Sequence, residues 1–342
     1  MMPSLAIITV SWNTRELLHR CIDSVHSSLG GSGLDYSIVI VDNASSDGTP
    51  AMLRLAHPEV RLIESGRNLG FAGGNNLALR RVLGDEGWGM GVGSGSPTPN
   101  SQLPTPQYVM LLNPDTEIVG DALPRLVRYL ENHPDVAVVG PKLLYPAGSA
   151  QPSRRRFPTK ATFFWESTPL ETRWPANPWA QRHRCADSPD DVEQEVGWLV
   201  GAALLVRRTA IERAGLLDAG FQMYSEELEW QRRIRGMGDG GWGVESSPQP
   251  PRIMYLPDAV IVHHEGKSSE QAPAQRYLNF QRSRLRDANM TFGPRFAAAL
   301  RLFLRAAYAG ELAIEAGKWL LGHKRALRAQ RVRIYWQLLR EL

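Results

Sequence analysis

Four short runs of apolar, largely β-branched residues punctuate the first third of the chain: Leu5–Val10, Ser37–Val41, Val60–Ile63 and Tyr108–Leu112. They are almost unbroken by polar residues, as strands must be when both faces of a parallel sheet are covered. Between them lie Thr14–Ser27, Thr49–Ala56 and Phe71–Leu83, with apolar residues at helical spacing and Ser, Thr, Asp or Gly at their edges. Strand and helix in alternation predict an α/β fold with a doubly wound, mostly parallel sheet. Ligands of such sheets bind beyond the carboxyl ends of the strands. The residues just after each apolar run are therefore the ones that carry chemistry.

Other features bound the function. Cys21 and Cys185 lack CxxC spacing, which disfavours a disulfide framework or a zinc ribbon and fits a reducing compartment. The Leu5–Val10 run is too short for a signal peptide, and no stretch of eighteen apolar residues is free of charge, so the cytoplasm is the expected location. Charge is uneven. From Arg276 onward there are 14 Lys/Arg against 4 Asp/Glu. A basic tail on an acidic body points to an anionic partner. The segments 84–106 and 238–251 are rich in Gly, Ser and Pro and read as mobile insertions. Residues 1–275 are thus expected to form the α/β domain, and 276–342 a basic, amphipathic helical C-terminal region.

The strand ends hold a consistent set of groups. Ser11-Trp12-Asn13 follows the first run. Asp42-Asn43-Ala44-Ser45-Ser46-Asp47-Gly48 follows the second. A turn and helix cap explain Ser45 through Gly48, but Asp42 lies inside the strand boundary, where a carboxylate can accept hydrogen bonds from a base or a ribose. Asn68 through Asn76 opens a helix with small residues, which lets backbone N–H groups approach an anion. Asp115, in Asn113-Pro114-Asp115, is a carboxylate on a stiffened turn that could bind a hard cation. Trp198-Leu199-Val200-Gly201-Ala202-Ala203-Leu204-Leu205 reads as a further strand, with Trp198 either stacking on a sugar or filling core. Glu226, Glu227 and Glu229 cluster at a helix start, where the dipole favours acids and where one could serve as general base. His263-His264 ends another β-branched run, and a histidine pair at a strand tip suits metal or phosphate, with Lys267 and Ser268 beyond it.

Taken in order, IITVSWN, IVIVDNASSDGT, NLGFAGGNN, YVMLLNPDTEI, WLVGAALLVRR, FQMYSEELEWQRR and HHEGKSS resemble family 2 glycosyltransferases of the GT-A fold, in particular rhamnosyltransferase-like members. The resemblance implies donor binding by Trp12, Asn13, Asp42, Asn68, Gly70, Phe71, Gly73, Asn75, Asn113 and Asp115. It implies a divalent cation, Mg²⁺ or Mn²⁺, at Asp115 and His263, with His264 as the fallback. Asn113 stands where many relatives have a second aspartate, so fewer protein ligands would hold the metal. Glu227 falls where the family usually has a catalytic aspartate. Trp198, Gly201, Glu226 and Trp230 would face the acceptor. The implied reaction is single, inverting transfer of one sugar, with dTDP-rhamnose the donor suggested. A lipid-linked glycan, a polysaccharide or a glycolipid would be the acceptor, in cell-envelope polysaccharide synthesis.

Rival readings lack their required context. Gly236-Met237-Gly238-Asp239-Gly240-Gly241 matches G-x-G-x-x-G but follows an arginine-rich helical stretch, not a strand. Gly266-Lys267-Ser268 has Ile261 where a phosphate loop needs glycine. Nucleic-acid binding fits the tail less well than an amphipathic helix on an anionic membrane, because Phe296, Leu300, Phe303, Leu304 and Tyr308 recur at helical spacing. The competing explanation for that stripe is a cap packed on the body of the protein. A non-catalytic nucleotide-sugar binder would have less need of Asp115, Glu227 and His263 together. A processive synthase would carry a Q-x-x-R-W motif and membrane spans.

Overall fold

The computed structural model describes residues 4–84, 105–221, 223–236, 250–265 and 273–342. Both proposed insertions lie largely outside this range, as do most of the Gly236–Gly241 motif and both Lys267 and Ser268. The elements in chain order are β1 (Ser4–Ser11), α1 (Arg15–Leu29), β2 (Asp35–Asp42), α2 (Thr49–Ala56), β3 (Arg61–Glu64), α3 (Gly70–Leu83), β4 (Tyr108–Leu112), β5 (Thr116–Val119), α4 (Ala122–Asn132) and β6 (Val136–Leu144). There follow β7 (Arg154–Arg155), α5 (Lys160–Trp165), α6 (Pro169–Arg173), α7 (Pro178–His183), β8 (Gln194–Glu195), β9 (Trp198–Leu199), β10 (Ala203–Arg207), α8 (Arg208–Ala214), α9 (Glu226–Ile234) and β11 (Arg252–His263). Three long helices close the chain: α10 (Pro273–Phe292), α11 (Pro294–Leu320) and α12 (Arg325–Glu341).

Two compact units result. The first comprises residues 1–154, 190–219 and 227–268; the second comprises 155–189, 220–226 and 269–342. In the first unit the strand order is β3-β2-β1-β4-β10-β6-β11-β5, with β8 joined to β11. The half formed by β3, β2, β1 and β4 is wholly parallel. The later-arriving β10 runs antiparallel between β4 and β6. Alternate residues of each strand serve opposite faces. On one face Leu5, Ile7, Ile38, Ile40, Met110 and Leu112 pack with Leu18, Ile22 and Val25 of α1 and Leu126 and Leu130 of α4. On the other, Ala6, Ile8, Val39, Val41, Val109 and Leu111 meet Ala72, Ala78 and Leu79 of α3 and Trp230 and Ile234 of α9. This double coverage explains why the strands read as continuous apolar runs.

The expected strand Trp198–Leu205 is two strands. The chain leaves β9, which lies outside the large sheet, at Val200, turns through Gly201 and Ala202, and enters that sheet as β10. Asn113 N–H donates to Ala202 O across that break (2.9 Å), so the turn is tied to the tip of β4.

In the second unit, α10, α11 and α12 surround a core of Leu278, Leu285, Leu300, Leu304, Tyr308 and Leu338, with Phe163 of α5. Leu300 and Leu304 are fully buried, and Phe296 and Phe303 pack against the same core. The apolar stripe, for which the sequence leaves membrane contact and a packed cap equally open, is the inner face of a helical bundle. Its period was correct, but neighbouring helices occupy it. Glu315 is buried here against Arg328 (2.6 and 2.8 Å), with Arg331 and Lys318 near it. Burial alone would raise that carboxyl; the surrounding cations outweigh it and hold it below its usual value.

Candidate active site

The parallel register places Ser11 beside Asp42, so β1 and β2 end level. Three side chains hold the loop that follows. Asp42 Oδ2 accepts from Ser45 N–H (3.0 Å). Asn13, in the left-handed region at φ 52, donates its N–H to Ser45 Oγ (2.9 Å) and accepts from Ser46 N–H at Oδ1 (2.8 Å). Asp47 joins Arg15 N–H (2.9 Å) to Thr49 Oγ1 (2.6 Å), and these bonds hold its carboxyl below its usual value although burial works against them. The turn that looked like simple capping is thus a rigid shelf. Asp42 is 2% exposed, and its Oδ1 has no hydrogen-bond partner among the described residues. A buried carboxylate oxygen left so is costly unless a ligand donates to it.

Asn43, which the sequence did not single out, joins this shelf to the next segment. Its Oδ1 accepts from Leu69 N–H (3.3 Å) and its Nδ2 donates to Gly70 O (3.2 Å). Asn68 Oδ1 accepts from Gly70 N–H (2.9 Å), and Gly70 itself is left-handed at φ 71. α3 starts here, close against β1. A Cβ on Gly74 would stand 2.6 Å from Val10 Cγ1, so only glycine allows the approach. Asn75 faces inward: it is 2% exposed and donates to Phe71 O (2.9 Å), which makes it part of the helix's own scaffolding. Trp12, Phe71 and Gly73 are half-buried along this stretch.

At the tip of β4, Asp115 Oδ1 lies 3.3 Å from His263 Nε2, and Asn113 Nδ2 lies 3.4 Å from the same nitrogen. Asp115 and His263 are 5% and 7% exposed. The histidine tautomer follows from a residue absent from the sequence reading. Gln151 Nε2 donates to Glu265 Oε2 (2.9 Å), so its Oε1 faces His263 Nδ1 (2.8 Å) and accepts that N–H. The Nε2 lone pair then points at a carboxylate oxygen. Asn113 Nδ2 is the donor within reach of that lone pair, at 3.4 Å, and Asp115 Oδ1 faces it as a second acceptor at 3.3 Å. A nitrogen and an oxygen converging this way, with the imidazole held from behind, suit a divalent metal. His264 faces elsewhere. Its Nε2 pairs with Glu117 Oε1 (2.7 Å), which also takes Arg20 Nε (3.0 Å). His263 is the last residue of β11, and His264 follows it beyond the strand end. Of the two histidines, His263 is the one aimed at Asp115.

The third cluster forms around Gly201. A Cβ there would lie 3.3 Å from Phe71 Cζ and 3.5 Å from Glu227 Cβ, so the structure brings these three residues together. Gln231, fully buried, bonds Leu199 N–H and O (2.9 and 2.7 Å) and Glu227 O (3.0 Å), fixing α9 to β9. The chain enters α9 through two successive left-handed non-glycine residues, Tyr224 (φ 73) and Ser225 (φ 67). Each costs about 1–2 kcal/mol, strain of a kind that collects at functional sites. The acceptor expectations fare unevenly. Trp230 is wholly buried, its indole N–H bonded to Gly215 O (2.8 Å). It is core, because the inward face of α9 packs on the sheet, and it cannot line an acceptor surface. Trp198 is 8% exposed, close to the core alternative. Glu226 is buried and groups with the helical unit, whereas Glu227 groups with the sheet.

A family model described as glycosyl transferase family 2 matches residues 6–187. The chain belongs to this family. The glycosyl transferase is 28% identical over 279 residues to an N-acetylglucosaminyl-diphospho-decaprenol L-rhamnosyltransferase of Mycobacterium tuberculosis, covering 82% of each chain. It is 26% identical over 235 residues to a low-salt glycan biosynthesis hexosyltransferase of Haloferax volcanii, covering 69% of this chain and 62% of that one. Among solved structures, a mannosyltransferase from Pyrobaculum calidifontis in complex with GDP-Man and Mn²⁺ aligns over 99% of this chain and 86% of its own, with a TM-score of 0.51 and 17% identity. That likeness concerns the fold, which is GT-A with a C-terminal helical region. The protein is a glycosyltransferase of the rhamnosyltransferase-like kind.

Proposed function

We propose that this glycosyltransferase moves one L-rhamnosyl residue from dTDP-rhamnose to a hydroxyl of a lipid-linked diphosphosugar, with inversion at the anomeric carbon. The observation that carries donor binding is the buried Oδ1 of Asp42 at a strand tip, which has no hydrogen-bond partner among the described residues. A pyrimidine imide N–H would supply the missing bond. The sugar and acceptor rest on the mycobacterial relative.

Each residue then has a task. The shelf of Asn13 and Ser45 to Asp47 orients the nucleoside, and the α3 start from Asn68 to Gly73 offers backbone N–H groups to the diphosphate. Glu227 takes the proton from the acceptor hydroxyl as its oxygen bonds to the anomeric carbon. The bond from that carbon to the diphosphate breaks on the opposite side, and dTDP departs. General-base help of this sort is worth roughly 10²–10⁴-fold. A divalent cation held by Asp115 and His263 would offset the charge of the departing diphosphate. Gly201, with no side chain of its own, lets Phe71 and Glu227 come together.

Turnover with a panel of nucleotide sugars and Mn²⁺ or Mg²⁺ tests the donor; transfer from another sugar and none from dTDP-rhamnose would reject it. Glu227→Gln should cut kcat at least 100-fold while leaving donor affinity within about threefold. Wild-type rates in that variant remove Glu227 from the chemistry.

A lipid-linked acceptor calls for a bilayer partner. Among the described residues no helix is long and apolar enough to cross a membrane. The end of α11 and the turn after it, however, present Trp319, Leu320 and Leu321 at 42%, 70% and 87% exposure, beside Lys318, Lys324 and Arg325. An apolar tip with a basic rim suits the interface of an anionic membrane. Leu320→Ser with Leu321→Ser should abolish flotation on phosphatidylglycerol vesicles. Equal flotation of the variant would rule out the tip.

A further inference from the structure

A second group of metal-binding side chains lies away from the donor shelf. It is built by α1 and the link between α2 and β3. His19 and Asp23 are one turn apart on α1, so they share a face. His57, the C-cap of α2, is 5% exposed. Its backbone is fixed on both sides: its N–H donates to Leu53 O (3.0 Å), and its O accepts from Val60 N–H (3.1 Å). His19 Nδ1 lies 2.7 Å from His57 Nε2. Asp23 reaches both imidazoles, at 3.7 Å from His19 and 4.0 Å from His57. One ligand atom from each of the three falls within 4.8 Å of the others.

Behind His57 stands a second layer. Its Nδ1 faces Glu59 Oε1 at 3.7 Å, and the same oxygen pairs with His26 Nε2 at 2.9 Å. His26 Nδ1 is held in turn by Tyr36 O–H (2.8 Å). A carboxylate behind an imidazole, itself held by further groups, is the arrangement that orients and strengthens histidine ligands. A plain surface network explains the single pairs but not this layering, with one histidine nearly buried between two others.

We propose that His19, Asp23 and His57 form a site for a borderline divalent transition metal of the zinc class, separate from the catalytic centre. Two imidazoles and one carboxylate are the donors such ions prefer over Mg²⁺, and a tetrahedral ion leaves a fourth position for water. Around the ion the ligand atoms would stand about 3.4 Å apart, so the two imidazole nitrogens would part from 2.7 Å while Asp23 draws in. His19 and Asp23 are exposed enough to make that adjustment by side-chain rotation. The site lies one helical turn along α1 from Arg15 and at the far end of α2 from Asp47. α2 runs from Thr49, bonded to Asp47, to its end before His57, and its eight residues span about 12 Å. The bound ion would tie α1 to the α2–β3 link.

Zinc titration of the untagged full-length chain, read by competition with a chromophoric chelator, decides the matter. Because Asp115 and His263 could also take zinc, Asp115→Ala with His263→Ala serves as the background. There, one equivalent should still bind in the micromolar range. Adding His19→Ala with Asp23→Asn should weaken it at least tenfold, and His26→Ala, which removes only the support of Glu59, should weaken it by a smaller factor. No binding below millimolar zinc in the background variant, or binding indifferent to His19 and Asp23, overturns the site. Neither result bears on sugar transfer, which is read from turnover.

Discussion

Truncating Gln151 to alanine isolates the role of one hydrogen bond behind the proposed metal. In the native site Gln151 accepts the His263 Nδ1–H at 2.8 Å and is itself anchored to Glu265 at 2.9 Å. Without it, the imidazole is free to carry its proton on Nε2, pointed at Asp115 Oδ1 only 3.3 Å away. That proton occupies the lone pair a cation needs. Loss of such outer support typically costs 10–100-fold in metal affinity, or about 1.4–2.7 kcal/mol. The Mn²⁺ concentration giving half-maximal turnover should rise by that factor, while kcat at saturating Mn²⁺ stays within about threefold. Gln151→Glu keeps an acceptor for Nδ1–H and should restore most of the affinity. An unchanged Mn²⁺ midpoint in Gln151→Ala would refute the reasoning, since His263 would then need no held tautomer. A loss of kcat that no Mn²⁺ concentration recovers would also refute it.

Two further outcomes follow from packing and charge. Gly74→Ala should destabilise by about 1–2 kcal/mol, because overpacking against Val10 outweighs the gain in helix propensity, and Val10→Ala should recover part of the loss in a thermal melt. Equal melting temperatures for wild type and Gly74→Ala would show that α3 can move off β1. In the helical unit, burial pushes His183 down to about 4, and Glu166 is held at about 2 by Arg284, His183 and Arg184 against the pull of its own burial. Both groups bind more protons unfolded than folded, so stability falls as pH drops. The His183 part is lost between pH 6.5 and about 4, and the Glu166 part from about 4.5 downward. Urea unfolding at pH 7, 5 and 4 should show His183→Gln reducing the acid sensitivity by on the order of 2–3 kcal/mol. A pH dependence identical to wild type would exclude His183 as its source.

The residues that were legible in the sequence are those whose environment is set by strand parity and chain order. Leu5–Val10 and Tyr108–Leu112 had to be strands covered on both sides, and Asp42 and Asp115 had to stand at strand tips. What remained hidden depends on distant partners. Whether His263 or His264 meets Asp115 is decided by the phase of β11 against β5, which neighbouring identical residues cannot reveal. Gln151 lies in a loop with no pattern of its own. Trp230 stands three residues after Glu227 on a neighbouring side of α9, yet its ring is wholly buried, with its N–H on Gly215 O, while Glu227 stands beside Gly201. The stripe from Phe296 to Tyr308 had the right period, but period does not say what covers it.

The position of β10 has a bearing on synthesis. It fills the gap between β4 and β6, strands that leave the ribosome long before it does. Until residue 207 emerges, both neighbours expose unpaired backbone edges, the kind that recruit other chains. The family match ends at residue 187, yet a fragment cut there would lack both β10 and β11. It would hold the donor shelf on half a sheet with an open flank. Such a fragment should express as aggregates, and the nascent enzyme should be most dependent on chaperones during this same interval.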